Sequence, residues 1–164
     1  MRSPFKLILA LGALAIGASA ALAILPHPVA PDVRFATLSG EILATSDLRG
    51  KVVLVNFWST LCAECLAEIP RLTETYRSCA PRGCEVVAVA MHHDSLLRVA
   101  DFTFRQGLPF KVAFDESGEI ATSFGSIRVT PTIFILDKQG RILKHYVGEL
   151  NWRELRALLD QALQ

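Results

Sequence analysis

The sequence predicts an α/β domain: a central mixed β-sheet with helices on both faces and a small β-hairpin extension at its N-terminal end. Three observations predict it. The runs Val52–Phe57 and Glu85–Met91 are apolar almost throughout and of strand length, as strands covered on two sides are. Amphipathic stretches of helical period follow each run, which implies crossover connections and parallel pairing. A later run, Thr132–Leu136, returns through the turn Asp137-Lys138-Gln139-Gly140 as Arg141–Val147 and adds an antiparallel edge.

Residues 1–25 come first and carry an export signal. Arg2 and Lys6 form a positive flank, and Leu7–Leu25 is a 19-residue run whose only polar member is Ser19. Such a run just spans a bilayer core, with its positive end held in the cytoplasm. The unbroken run favours a single-pass signal-anchor. Ala18-Ser19-Ala20 and Ala21-Leu22-Ala23 look like cleavage sites and keep a cleaved signal peptide, hence a soluble periplasmic protein, as the alternative. Either way the domain is exported. Residues 26–31 hold three prolines and read as a stiff extended spacer with His27 in solvent. The folded domain is then 32–164.

Within it, Phe35–Ile42 reads as strand, turn at Ser39-Gly40, and second short strand, and Ser46–Lys51 as a turn into the central strand. A helix starts at Cys62 and runs to about Tyr76, with Cys65, Leu66, Ile69, Leu72 and Tyr76 at helical spacing and a kink expected at Pro70. Ser78–Cys84 turns out of it. After the second buried strand, Asp94-Ser95 caps a helix from Leu96 to about Gln106, and Gly107-Leu108-Pro109 stops it. Lys111–Phe114 is a strand, Glu119–Phe124 a short helical piece, and Asn151 with Glu154 resembles a capping box opening a last helix over Trp152–Leu163.

Composition bounds the function. With 164 residues and 51% hydrophobic content, the chain is one domain plus an attachment. Seventeen basic against sixteen acidic residues, with no basic stripe, give no reason to propose nucleic acid as a partner. Four cysteines behind an export signal suit an oxidising compartment.

The chemistry centres on Cys62-Ala63-Glu64-Cys65, where the first buried strand runs into a helix. Unpaired N–H groups and the macrodipole at a helix start favour an anion, and so stabilise a thiolate, the species that attacks disulfides. Cys62 is placed as nucleophile and Cys65, about one turn further in, as the thiol that attacks the mixed disulfide from behind. A zinc knuckle would need a second ligand pair, and Cys79/Cys84 with His92/His93 do not form a zinc-finger pattern. No metal or organic cofactor is called for. Cys79 and Cys84 flank a Pro-Arg-Gly turn and read as a structural disulfide, with a second redox relay as the other option.

These pieces together resemble a known family. Leu48–Trp58, the C-x-x-C followed by Glu68 and Pro70, Val86–Val89, and Val129-Thr130-Pro131-Thr132 are similar to the thioredoxin fold, and more narrowly to the TlpA-like, membrane-tethered thiol–disulfide oxidoreductases of bacteria, which include those serving cytochrome c maturation. The resemblance covers roughly residues 31–163. It implies that Pro131 is a cis-proline facing the disulfide, that Thr130 beside it offers its backbone to an extended substrate segment, and that Trp58 belongs to the active-site surface. Asn56 stands where thioredoxins proper carry a buried aspartate used in proton transfer. The tethered group can use a carboxylate after the next strand instead, here Asp94, for which a plain helix N-cap is the competing role. His92 and His93 precede it and read as surface or core residues.

The resemblance also implies the setting: the periplasmic side of the inner membrane, a membrane electron donor of the thiol–disulfide interchange type, and apocytochrome c or a similar exported protein as substrate. Two features depart from the family. Leu61 replaces a common Trp before the first cysteine, and Glu64 puts a negative charge beside Cys62, which disfavours the thiolate, favours the disulfide over the dithiol and so makes the pair more reducing. The reading is an exported dithiol reductase. An oxidant or isomerase runs the same chemistry backwards. A copper-binding assembly factor using Cys62, Cys65 and a nearby His is a further alternative, and a thiol peroxidase is disfavoured by the paired cysteines.

Overall fold

A computed structural model describes residues 27–164. The signal segment expected over 1–25 lies outside the described residues, and no helix among them is long and apolar enough to cross a membrane. The central sheet has five strands in the order β5-β4-β3-β6-β7. β3 (Val52–Trp58) lies in the middle, parallel to β4 (Cys84–Ala90), which is parallel to β5 (Lys111–Phe114). β6 (Thr132–Leu136) pairs antiparallel with β3, and β7 (Ile142–Val147) with β6. A separate hairpin joins β1 (Arg34–Ala36) and β2 (Ile42–Ala44). The helices are α1 (Ala63–Cys79), α2 (Leu96–Gln106), α3 (Glu119–Ser123) and α4 (Trp152–Ala162).

Every residue of β3 and β4 is buried, because the sheet separates two cores. Alternation sends Val52, Leu54 and Trp58 to one face, against Cys65, Ile69 and Leu72 of α1, Val99 of α2 and Leu155 and Leu159 of α4. Val53, Val55 and Phe57 meet Phe35 and Leu43 of the small hairpin, Ile120 and Ala121 of α3, and Phe124. Phe57, Phe124 and Phe134 pack edge to face there, with centroids 5.1–6.0 Å apart. Truncating one such side chain to Ala costs about 2–5 kcal/mol. The two cores hold the C-terminal end of β3 rigidly where the C-x-x-C begins.

Three elements depart from the sequence reading. α1 passes Pro70 as one helix and runs on to Cys79. Pro70 lies inside it with its ring exposed, and its nitrogen leaves one helical bond unmade. The spacer is partly docked: Val29 bridges Arg141, Ala30 N–H donates to Gly140 O at 2.9 Å, and Ile142 N–H to Pro28 O at 2.7 Å. Prolines lack a donor but keep their carbonyls, so a Pro-rich strip suits a sheet edge. His27 is exposed. Finally, the expected capping box at α4 is half formed. Asn151 Oδ1 accepts the Glu154 N–H at 3.2 Å, while the Glu154 carboxylate pairs with Lys144.

Candidate active site

The site is built where β3 ends. Ser59, Thr60 and Leu61 turn the chain, and Cys62, in extended conformation, becomes the N-cap of α1. Its Sγ accepts the Cys65 N–H at 3.1 Å, which satisfies one of the amides a helix start leaves unpaired. Cys62 and Cys65 are joined as a disulfide, so the structure is the oxidised form. Their exposure differs. Cys65 is 3% exposed and sits in the α1-face core, whereas Cys62 is partly open. A partner's sulfur therefore has access to Cys62 alone.

The loop before β6 forms the opposite wall, because Phe57 pairs with Thr132 and brings that loop level with the end of β3. The Thr130–Pro131 peptide is cis, and the Thr130 carbonyl oxygen lies 3.4 Å from Cys62 Sγ. Pro131 is buried, Thr130 half-buried and Val129 exposed. Glu64 is exposed, with its carboxylate 4.0 Å from Cys62 Sγ. Trp58 is different: it is fully buried, its ring tilted on Phe102 with centroids 5.5 Å apart, so it supports the site from below and offers no surface to a partner.

Asp94 reaches the site, and it is not the helix cap. The N-cap of α2 is Ser95, without a side-chain cap bond. The Asp94 carboxylate accepts from Ser59 Oγ at 2.9 Å, Thr60 N–H at 2.5 Å, Thr60 Oγ1 at 2.9 Å and Ser95 N–H at 2.7 Å. Burial pushes its pKa up, but these hydrogen bonds outweigh that and hold the carboxyl below its ordinary 3.8. The carboxylate clamps the turn that presents Cys62.

Glu68, which sequence reasoning placed only as part of a motif, behaves the opposite way. It follows Cys65 by three residues on α1 and is half-buried. Burial raises its pKa above 4.5; a hydrogen bond from Leu150 N–H at 3.0 Å partly offsets this, and the negative Glu149 adds to the rise. The signal for it was a carboxylate one helical turn after the second cysteine, on a helix whose inner face is core. The Ser59–Thr60 clamp left no comparable signal, because it depends on a partner 34 or 35 residues away.

Asn56 is buried in β3 with no hydrogen-bond partner for its Oδ1 among the described residues. His92 and His93 are exposed, with ring centroids 5.6 Å apart. Among the described residues no three His, Cys, Asp or Glu side chains cluster so as to hold a metal ion. Cys79 and Cys84 are bridged, both buried, and tie the end of α1 to the start of β4. Between them Gly83 takes a left-handed φ of 93°, which favours glycine.

Residues 27–145 match the AhpC/TSA family. This chain belongs to that family. It is 32% identical over 132 residues to the "Thiol-disulfide oxidoreductase ResA" of Bacillus thuringiensis, a match spanning 80% of this chain and 75% of that one. The relative of the same name from Geobacillus thermodenitrificans is also 32% identical, over 80% of this chain and 74% of its own. Among solved structures it is similar to a thiol:disulfide interchange protein of the thioredoxin family from Chlorobium tepidum, with a TM-score of 0.77, 27% identity and coverage of 85% and 99%. A DsbF homologue from Corynebacterium diphtheriae gives 0.73, 26%, 82% and 85%. The chain is thus a thioredoxin-fold thiol:disulfide oxidoreductase, as its motif and sheet foretell.

Proposed function

We propose that this protein is a dithiol reductase of exported proteins, with Cys62 as nucleophile, Cys65 as resolving thiol and an apocytochrome c-type polypeptide as substrate. The observation that carries it is the unequal placement of the two sulfurs: Cys62 partly open and capping α1, Cys65 buried behind it. The reduced Cys62 thiolate attacks one sulfur of the partner's disulfide. That S–S bond breaks, the departing thiolate takes up a proton, and a mixed disulfide remains. Cys65 then loses its proton and attacks Cys62 Sγ, breaking the mixed disulfide. The partner leaves with two thiols, and the Cys62–Cys65 bond holds the two oxidising equivalents, which is the state of the structure.

Thr130, with its carbonyl beside Cys62, is placed to pair with an extended substrate backbone. Asp94 acts as a positioning residue through the Ser59–Thr60 turn rather than in proton transfer. Glu68 follows Cys65 by three residues, on the same side of α1, is half-buried and has its pKa raised, which suits it to carry the Cys65 proton. Cys79–Cys84 is structural. Residues 1–25 tether the domain on the periplasmic side of the inner membrane, where a thiol–disulfide interchange carrier re-reduces Cys62–Cys65.

The test is a trap. A Cys65→Ser variant, reduced and mixed with an oxidised C-x-x-C-H peptide, should accumulate a covalent 1:1 adduct through Cys62, seen by intact mass. No adduct with the peptide, or an adduct through Cys79 or Cys84, contradicts the assignment.

A further inference from the structure

Eight large apolar side chains stand exposed among the described residues, and five of them ring the end of the molecule that holds Cys62. Leu61 (62% exposed) is its neighbour, Val129 precedes Thr130, and Val147 pairs with Thr132 beside Pro131. Leu96 and Leu97 open α2 just beyond Asp94, across the Ser95 cap, and the Asp94 carboxylate holds Thr60. A sixth, Phe104, continues this surface along α2. Leu97 is 82% and Phe104 87% exposed.

Seven residues apart, Leu97 and Phe104 lie on one line of the helix, about 10 Å from each other. That line is diametrically opposite Val99 and Phe102, which face the core. An amphipathic helix ordinarily places polar residues there. Beside the line Asp101 and Arg105 form an i,i+4 pair at 2.8 Å, and Arg98, next to Leu97, adds one exposed positive charge.

Resting on the exchange reading above, we propose that the Leu97–Phe104 stripe of α2 is a docking subsite, remote from the disulfide, for a large apolar side chain of the partner polypeptide. The occupant follows from placement. A partner must lie over Cys62 for exchange to occur. The Asp94–Thr60 hydrogen bonds set the start of α2, with exposed Leu96 and Leu97, beside the turn that carries exposed Leu61. Phe104 lies about two turns further along the helix. A partner that fits this surface offers a large apolar side chain near its disulfide, and the stripe selects substrates that carry one.

The test uses the full-length protein in mild detergent and two oxidised peptides of about 20 residues, long enough when extended to reach from Cys62 along α2. Each has one central C-x-x-C disulfide; one carries Phe and Leu in both flanks, the other Ser at those positions. Wild type should reduce the apolar peptide with a kcat/KM about tenfold higher, carried by KM. A Leu97→Gln/Phe104→Gln variant, folded by circular dichroism, should bring the ratio to about one, and Leu97→Met/Phe104→Leu should keep most of it. Equal rates for both peptides with wild type, or an undiminished ratio in the double Gln variant, would overturn the proposal. So would a wild-type dimer that the Gln variant dissociates with no change in the ratio, since the stripe would then be a self-association face. Reduction of both peptides at wild-type rates by Cys62→Ser is a separate outcome that sinks the exchange reading itself.

Discussion

α1 carries a disulfide at each end, and the two have little in common beyond the bond. At its N-terminus Cys62 caps the helix, accepts the Cys65 N–H and stands partly open against the Thr130 carbonyl. At its C-terminus Cys79 is buried and fastened to Cys84, the first residue of a buried strand, while Arg82 from the turn between them pairs with Asp160 of α4 at 2.7 Å. Helix polarity reinforces the contrast: the N-terminal end favours a thiolate and the C-terminal end opposes one. Reactivity is thus set by placement. In the proposed function the first bond opens, and the second holds the helix that carries the first.

The sharpest way to break this comparison is to remove each pair. Cys62→Ser should lower disulfide reduction by at least about 10³-fold, towards the uncatalysed rate. Cys79→Ser/Cys84→Ser should leave the rate nearly intact and lower stability by about 2 kcal/mol, the loop-closure value for so short a loop. Urea titration with a turnover assay reads both, and a double variant that loses turnover while folded would make the second pair a redox partner of the first.

Asp94→Asn comes next. The amide keeps one acceptor and turns a donor towards donors, so we expect a loss of about 2–3 kcal/mol at pH 7. Because the folded pKa of Asp94 lies below its unfolded value, the stability it contributes is present above that unfolded value and fades as pH falls through the folded one. The gap between variant and wild type in urea should therefore narrow in acid; a gap independent of pH contradicts the clamp.

Glu68→Gln has the reverse sign. Its raised pKa means that ionisation costs stability, a cost present above the folded pKa and relieved as pH falls below it. The variant should unfold at higher urea at pH 7, match wild type in acid, and slow release of the partner from the mixed disulfide.

Much of this was legible in the sequence. Buried strands announce themselves by unbroken apolar runs, and a C-x-x-C at a strand–helix junction by its spacing, because both signals are local. Asn151 capped its helix for the same reason. What failed to show was long-range. Asp94 looked like a cap because Asp before a helix usually is one, and only the folded sheet brings it to Thr60. The resemblance put Trp58 on the site surface, yet alternation along β3 turns it into the α1-face core. The docking of Pro28–Ala30 depends on an edge formed over a hundred residues later.

The smallest expected effect is at Glu64, whose carboxylate near Cys62 Sγ disfavours the thiolate. Glu64→Gln should raise the reduction potential by about 10–30 mV at low salt and less at high salt. No change at low salt would remove Glu64 as a tuning residue.

The most direct test of the account is the reduction potential of the Cys62–Cys65 pair itself, measured on the full-length protein against dithiothreitol and glutathione buffers, with Cys79→Ser/Cys84→Ser as control. A reductase predicts a value near that of thioredoxin, about −270 mV. A value near the strong oxidants, about −120 mV, would contradict it and reverse the direction of electron flow.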